Sequence, residues 1–425
     1  MRISLLTNEY PPHVYGGAGV HVEYLARELA AAEERSHHVE VLCFGEQRET
    51  HDNLRVRGVA PPIQFAAQDP RHAKLLDALV RDLAMVGGVE SPDIVHCHTW
   101  YSHLAGCLAR PLTGAKLVLT THSLEPHRPW KVEQLGTAYH ATAWIERTAY
   151  ENADGVIAVS KAMKDDVQSL YGVAPERVRV IHNGIDPDEY RPRPAPATLR
   201  RFGIDPDVPI VLFVGRITRQ KGILHLVRAI RHLGAGVQVV LCAGAPDTEA
   251  IAAEMTALVE SVKRESFAEI VWIPEMLPKE DVISLYTHAA VFVCPSVYEP
   301  FGIINLEAMA CETPVVAAAV GGIPEIVVPG ETGTLVAFEA VDDASAEPKD
   351  PEAYSRALAE AINALIVDPE LRARMGRAGR LRVLAEFSWR QIARVTLDFY
   401  REMLEGDLDG VKLPRVPGAG YASSD

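Results

Sequence analysis

Short apolar runs alternate with amphipathic stretches from one end of the chain to the other, and this alternation constrains the fold more than any other feature. It is the pattern of βαβ units that close into parallel sheets. Ile3 to Thr7, Val39 to Phe44, Asp93 to His96, Lys116 to Thr121, Gly155 to Val159 and Val178 to Ile181 read as strands of one sheet. Ile210 to Val214, Val237 to Ala243, Glu269 to Ile273, Val291 to Pro295 and Pro314 to Ala318 read as strands of a second. Between the two series, Tyr190 to Pro196 carries Pro192, Pro194 and Pro196, which disfavour helix and central strand alike and suit a stiff connector. The 425 residues exceed one ordinary core of about 150 residues, so two domains are expected.

The predicted class is therefore α/β, with two facing Rossmann-like, doubly wound parallel-sheet domains. The first spans residues 1–189, a Pro-rich linker 190–208 and the second domain 209–388. Three helical patterns, Ala353 to Val367, Leu371 to Phe387 and Trp389 to Leu404, close the second half, and a frayed tail is expected over 406–425. Ligands of such sheets sit beyond the carboxyl ends of the strands, so facing sheets predict a site in the cleft between them.

Lys and Arg number 42 against 57 Asp and Glu, a net charge of -15 whose long-range field repels nucleic acid and anionic membranes. The six cysteines stand apart, without CxxC, and read as thiols of a reducing compartment. The start turns polar too soon for a signal peptide, and Val315 to Ile323 is far too short to span a bilayer. A cytoplasmic protein without a membrane span is expected; the sequence leaves the oligomeric state open, with a homodimer as one option.

Three motifs fall just after predicted strands. Asn8 to Gly19 contains Gly16-Gly17-Ala18-Gly19 ahead of an amphipathic helix, Val20 to Ala32. Glycines there let backbone N–H groups approach an anion at a helix start, although a tight strand-to-helix turn needs them equally. Phe213 to Gly222 places Arg216 and Lys221 beside another helix start, where two fixed cations suit a leaving diphosphate. Ser296 to Glu307 holds Glu299 in a loop, through Pro300 and Gly302, and Glu307 about a turn inside the helix Ile303 to Ala310. Glu299 can accept sugar hydroxyls, while Glu307 can chelate the vicinal hydroxyls of a ribose. A glycosidase carboxylate pair is the rival reading, but a hydrolase has no need of the basic diphosphate cluster.

Two D-x-D strings, Asp186-Pro187-Asp188 and Asp205-Pro206-Asp207, invite a metal-bound diphosphate, but Asp before Pro is turn chemistry. His96 and His98 share one side of their strand without a third ligand at a signature spacing. No metal and no cofactor is expected for catalysis, with Arg216 and Lys221 supplying the charge. Trp100 and Tyr101 read either as a sugar-stacking wall or as core.

The string Glu299 to Glu307 resembles the E-x7-E motif of retaining nucleotide-sugar glycosyltransferases of the GT-B fold. Glu307 to Val316, Gly321 to Val327, Gly215-Arg216 with Lys221-Gly222, His182 to Asp186 and Gly16-Gly17 extend the resemblance over nearly the whole chain. Thr7 to Pro12, His98 to Ser102 and Thr121 to Lys131 are most similar to glycogen synthases of the actinobacterial type, which use ADP-glucose. Val14 stands where other bacterial glycogen synthases carry the lysine of K-x-G-G, which favours a small phosphorylated sugar over a processive α-glucan acceptor.

The resemblance implies transfer of glucose with retention from ADP-glucose to glucose 1-phosphate, forming α-maltose 1-phosphate through an α-1,4 bond. Glucan elongation, a UDP- or GDP-sugar donor, an epimerase and a noncatalytic binder are the alternatives. It also implies that His122 touches the donor hexose near its 6-hydroxyl and that Gly16, Gly17, Gly215, Phe301, Gly302, Ile303 and Glu307 line the donor site. His13, Tyr101, Glu125, Arg128, Lys131 and Asn183 are expected on the acceptor side, with Arg128, Lys131 and His13 placed to receive a phosphate. The last helix, 389–405, is expected to cross back to the first domain.

Overall fold

A computed structural model describes residues 1–61, 63–341 and 347–406. The strands are β1 (Arg2–Thr7), β2 (His38–Phe44), β3 (Arg48–His51), β4 (Leu54–Val59), β5 (Ile94–His98), β6 (Lys116–Thr121), β7 (Gly155–Ala158) and β8 (Val178–Val180) in the first lobe. The second lobe has β9 (Ile210–Arg216), β10 (Gln238–Gly244), β11 (Glu269–Ile273), β12 (Val291–Cys294), β13 (Val315–Ala318) and β14 (Gly333–Val336). The first sheet runs β3-β4-β2-β1-β5-β6-β7-β8 and the second β11-β10-β9-β12-β13-β14. Every pairing is parallel except β3 with β4. Central strands such as Ile3–Thr7 and Val239–Ala243 are buried on both faces, which is why they read as unbroken apolar runs.

The structure departs from the sequence reading at a few places. β3 and β4 form an unexpected edge hairpin; all four residues of β3 are exposed, so no buried face marked it in the sequence. β5 continues to His98 because His96 and His98 are buried with hydrogen-bond partners. The Pro-rich segment is extended only to Ala195; Pro196 opens the helix Pro196–Arg201, where a first-turn proline loses no hydrogen bond. Asp186 Oδ1 accepts from the Asp188 and Glu189 N–H groups at 2.9 and 3.1 Å, and Asp205 Oδ1 from the Asp207 N–H at 3.0 Å, so both D-x-D strings are Asx turns. The predicted tail lies, past Gly406, outside the described residues.

Helix Trp389–Glu405 packs on the first sheet. Trp389 stacks on Tyr24 with ring centres 5.7 Å apart, and the Tyr400 hydroxyl meets His96 Nδ1 at 2.6 Å. Contacts across the lobes fix their relation: Ser160 Oγ donates to the Pro300 carbonyl at 2.8 Å, and Glu325 takes the Lys161 N–H at 2.7 Å and His182 Nε2 at 2.9 Å. Among the described residues no helix is long and apolar enough to cross a membrane. The cysteines are free thiols, all buried except the half-buried Cys107.

Candidate active site

A cavity of about 630 Å³ lies between the lobes, walled by loops that follow β1, β5 and β6 on one side and β9 and β12 on the other. On the second-lobe wall, β9 ends at Arg216 and the chain turns through Thr218, whose hydroxyl accepts the Lys221 N–H at 3.1 Å. Gly222 then takes φ +62°, where a Cβ would come within 2.0 Å of the Pro295 carbonyl oxygen, so only glycine lets this turn seat under the β12 loop. The turn delivers Lys221 to the cavity, and helix Ile223–Ala229 follows.

Lys221 Nζ donates to Glu299 Oε2 at 2.7 Å, and the Ser296 hydroxyl donates to the same oxygen at 3.1 Å. Burial pulls the ammonium down, but the Glu299 carboxylate outweighs it and holds Lys221 above the ordinary lysine value. Arg216 Nη1 donates to Asp247 Oδ1 and to the Tyr15 hydroxyl, both at 2.7 Å, with the guanidinium 4.5 Å over the Tyr15 ring. Both cations expected for a diphosphate thus face the cavity already partnered. Gly302, at φ +102°, ends the loop that carries Glu299 and caps helix Ile303–Ala310.

Of the predicted donor residues, Gly16, Gly17, Phe301, Gly302 and Ile303 line the cavity, whereas Gly215 and Glu307 do not. Gly215 sits within β9. Glu307 is half-buried behind the wall, where its Oε2 accepts from the Tyr286 hydroxyl at 2.9 Å; burial raises its pKa, against the pull of Tyr286 and Tyr190. Phe301 turns its ring inward onto His182, with ring centres 5.5 Å apart. At the glycine loop, Glu9 Oε2 accepts the Tyr15 and Gly16 N–H groups at 2.9 and 2.8 Å. An acidic side chain thus takes the two N–H groups just ahead of the helix Gly17–Ala31.

On the first-lobe wall, His122 lines the cavity with its Nε2 3.0 Å from His98 Nδ1. His13, Tyr101, Arg128, Lys131 and Asn183 also line it. Glu125 does not: it is 1% exposed, its Oε2 accepts from Thr142 at 2.9 Å and its Oε1 lies 3.5 Å from Arg128 Nη1. It orients Arg128 from below instead of facing the ligand space. Tyr101 stacks on buried Trp100 at 3.9 Å, so the pair is at once wall and core.

Sequence reasoning missed Lys74, which lines the cavity from helix Ala73–Gly88 and sits 5.3 Å over the Tyr101 ring. With Arg128 and Lys131 it makes a second basic group on the wall opposite Arg216 and Lys221. Burial, then the charges of Arg128 and Lys74, lower Lys131 to about 7. Lys74 carries no motif; its helical pattern alone offers no signal that one face meets the cleft. Asp247 and His21 were likewise invisible, since each acts through a contact distant in sequence.

The Glycosyltransferase Family 4 profile matches residues 15–189, and the Glycosyl transferases group 1 profile matches residues 196–382. The alpha-maltose-1-phosphate synthase of Mycolicibacterium smegmatis is 48% identical over 407 residues, covering 95% of this chain and 100% of that protein. The glycogen synthase of Mycobacterium tuberculosis is 30% identical over 456 residues, spanning 100% of both. Among solved structures, the sucrose-phosphate synthase of Thermosynechococcus elongatus superposes with a TM-score of 0.73 at 26% identity, covering 95% of this chain and 99% of that one. With two parallel-sheet lobes around one cavity and this likeness along its whole length, the chain belongs to the alpha-maltose-1-phosphate synthase family of GT-B nucleotide-sugar glycosyltransferases.

Proposed function

We propose that the chain transfers glucose from ADP-glucose to glucose 1-phosphate with retention at the anomeric carbon, forming α-maltose 1-phosphate through an α-1,4 bond. The observation that carries this reading is the pair of basic groups on opposite walls of one cavity, Arg216 with Lys221 and Lys74 with Arg128 and Lys131. The first suits a diphosphate whose charge grows as its bond to carbon breaks. The second suits a phosphate on the acceptor, which a neutral glucan end does not carry. Relatives named alpha-maltose-1-phosphate synthase support the same product.

In this reading Glu299 accepts donor sugar hydroxyls and holds Lys221, and His122 approaches the donor hexose. Glu299 is tied to Lys221 and Ser296, which suits positioning more than attack on carbon. Front-face displacement, with the departing diphosphate taking the acceptor proton, is the proposed course, and Arg216 and Lys221 provide its electrostatic stabilisation without a metal. The proposed setting is the cytoplasm. Glucan elongation is the second reading, favoured by the likeness to a glycogen synthase. The test is a matrix of ADP-, UDP- and GDP-glucose against glucose 1-phosphate and glycogen with product analysis. Maltose 1-phosphate from ADP-glucose alone is expected, and preferential extension of glycogen overturns the acceptor assignment.

A further inference from the structure

Three histidines from separate elements converge behind the first-lobe wall. His21 lies on helix Gly17–Ala31, His98 ends β5 and His122 follows β6. One ligand atom of each lies within 4.8 Å of one of each of the others. Their ring centres are 4.7 Å apart for His21 and His122, and 5.3 Å apart for His21 and His98 and for His98 and His122. Imidazoles bound to one tetrahedral ion at about 2.0–2.1 Å hold their ring centres roughly 5 Å apart. The rings are therefore already spaced to share an ion, which would take the place of the present hydrogen bond between His98 Nδ1 and His122 Nε2 at 3.0 Å.

The hydrogen bonding points the same way. His21 Nε2 and His98 Nε2 are buried without a hydrogen-bond partner. His21 Nδ1 faces Asn183 Oδ1 at 2.7 Å; a side-chain carbonyl only accepts, so the proton sits on Nδ1 and Nε2 carries a free lone pair. This is the arrangement by which outer partners prepare a histidine to ligate a metal. Neighbouring His96 takes no part, because Tyr400 and Thr120 occupy both of its ring nitrogens at 2.6 and 2.7 Å. Burial holds all three imidazoles neutral, the form that ligates.

We propose that His21, His98 and His122 form a site for a divalent transition-metal ion of the zinc type, with a fourth position open to the cavity beside His122. The site stands independently of the functional reading above; its consequence, competition between the ion and the sugar donor for His122, rests on that reading. Such an ion would act as an inhibitor of the transferase.

Co²⁺ is the probe. Titration of the whole chain is expected to give one equivalent of bound ion with the intense visible bands of four-coordinate cobalt, bleached by Zn²⁺. His21→Gln and His98→Gln, each checked for native circular dichroism, are expected to weaken binding by about tenfold or more. Cobalt that stays six-coordinate, or binding that neither variant changes, overturns the proposal. Should a variant not fold, Zn²⁺ on the unaltered chain is expected to shield His122 from diethyl pyrocarbonate, mapped by mass spectrometry, and full labelling overturns the site equally. Zn²⁺ inhibition relieved by excess ADP-glucose is expected in turnover; binding without inhibition leaves the site standing and refutes the role given to His122.

Discussion

Lys221 Nζ rests 2.7 Å from Glu299 Oε2 on the cavity wall, so the ammonium assigned to the diphosphate and the carboxylate assigned to the sugar neutralise one another before a donor arrives. An incoming diphosphate can recruit the positive end of this pair while the donor hydroxyls take the negative end. Exchange of partners in a partly buried setting keeps either charge from being stranded.

Removing either donor-side cation is expected to leave the growing diphosphate charge undercompensated. Lys221→Ala and Arg216→Ala should each lower kcat a hundredfold or more, about 3 kcal/mol of barrier. Steady-state rates of ADP release at saturating acceptor check this, and near-normal turnover in either variant would remove these residues from the mechanism.

Arg216 is held by Asp247 at 2.7 Å, an ion pair that a bound diphosphate must compete with. Asp247→Asn is expected to tighten ADP binding by roughly fivefold, about 1 kcal/mol, the scale of a partly exposed pair. Calorimetric titration with ADP reads this directly; weakened binding would instead make Asp247 a support for the guanidinium.

Lys131 titrates near neutrality because burial and the neighbouring Arg128 and Lys74 disfavour its charge. A lowered value means that the ammonium is present below about 7 and is lost as the pH rises through it. Accordingly kcat/KM for glucose 1-phosphate should fall between about pH 7 and pH 9, while Lys131→Arg, charged throughout, should flatten that limb. Identical profiles for the two proteins would exclude Lys131 from acceptor recognition.

Glu307 stands behind the wall against Tyr286, so the ribose contact expected of it requires the nucleotide to reach past the cavity lining. Glu307→Ala is expected to raise the KM for ADP-glucose about tenfold with little change in kcat, as loss of uniform binding does. A fall in kcat alone would place the carboxylate nearer the reacting atoms.

Trp389 is 3% exposed, stacked on Tyr24 and edge-on to His21. Trp389→Ala should cost about 3–5 kcal/mol, seen as a lower denaturant midpoint followed by fluorescence or circular dichroism. An unchanged midpoint would mean that the last helix contributes little to the first lobe.

The sheets were legible because strands covered on both faces write themselves as apolar runs, and the Glu299 loop was legible because proline and glycine dictate its course. The edge strand Arg48–His51 was not, since an exposed hairpin places no hydrophobic demand on its residues. Single side chains brought in from distant helices were equally silent: Lys74 and His21 sit within ordinary amphipathic patterns. The glycine loop misled in a different way. Its spacing announces open backbone donors, but Glu9, only a few residues upstream, takes those of Tyr15 and Gly16 once the chain folds back on itself.

Because the final helix returns to the first sheet, the whole second lobe is threaded into its partner as a single contiguous insert with both ends anchored in one body. The second lobe of another transferase can thus be grafted as one cassette with two junctions, whereas cutting away the helix Trp389–Glu405 strips a buttress from the first lobe.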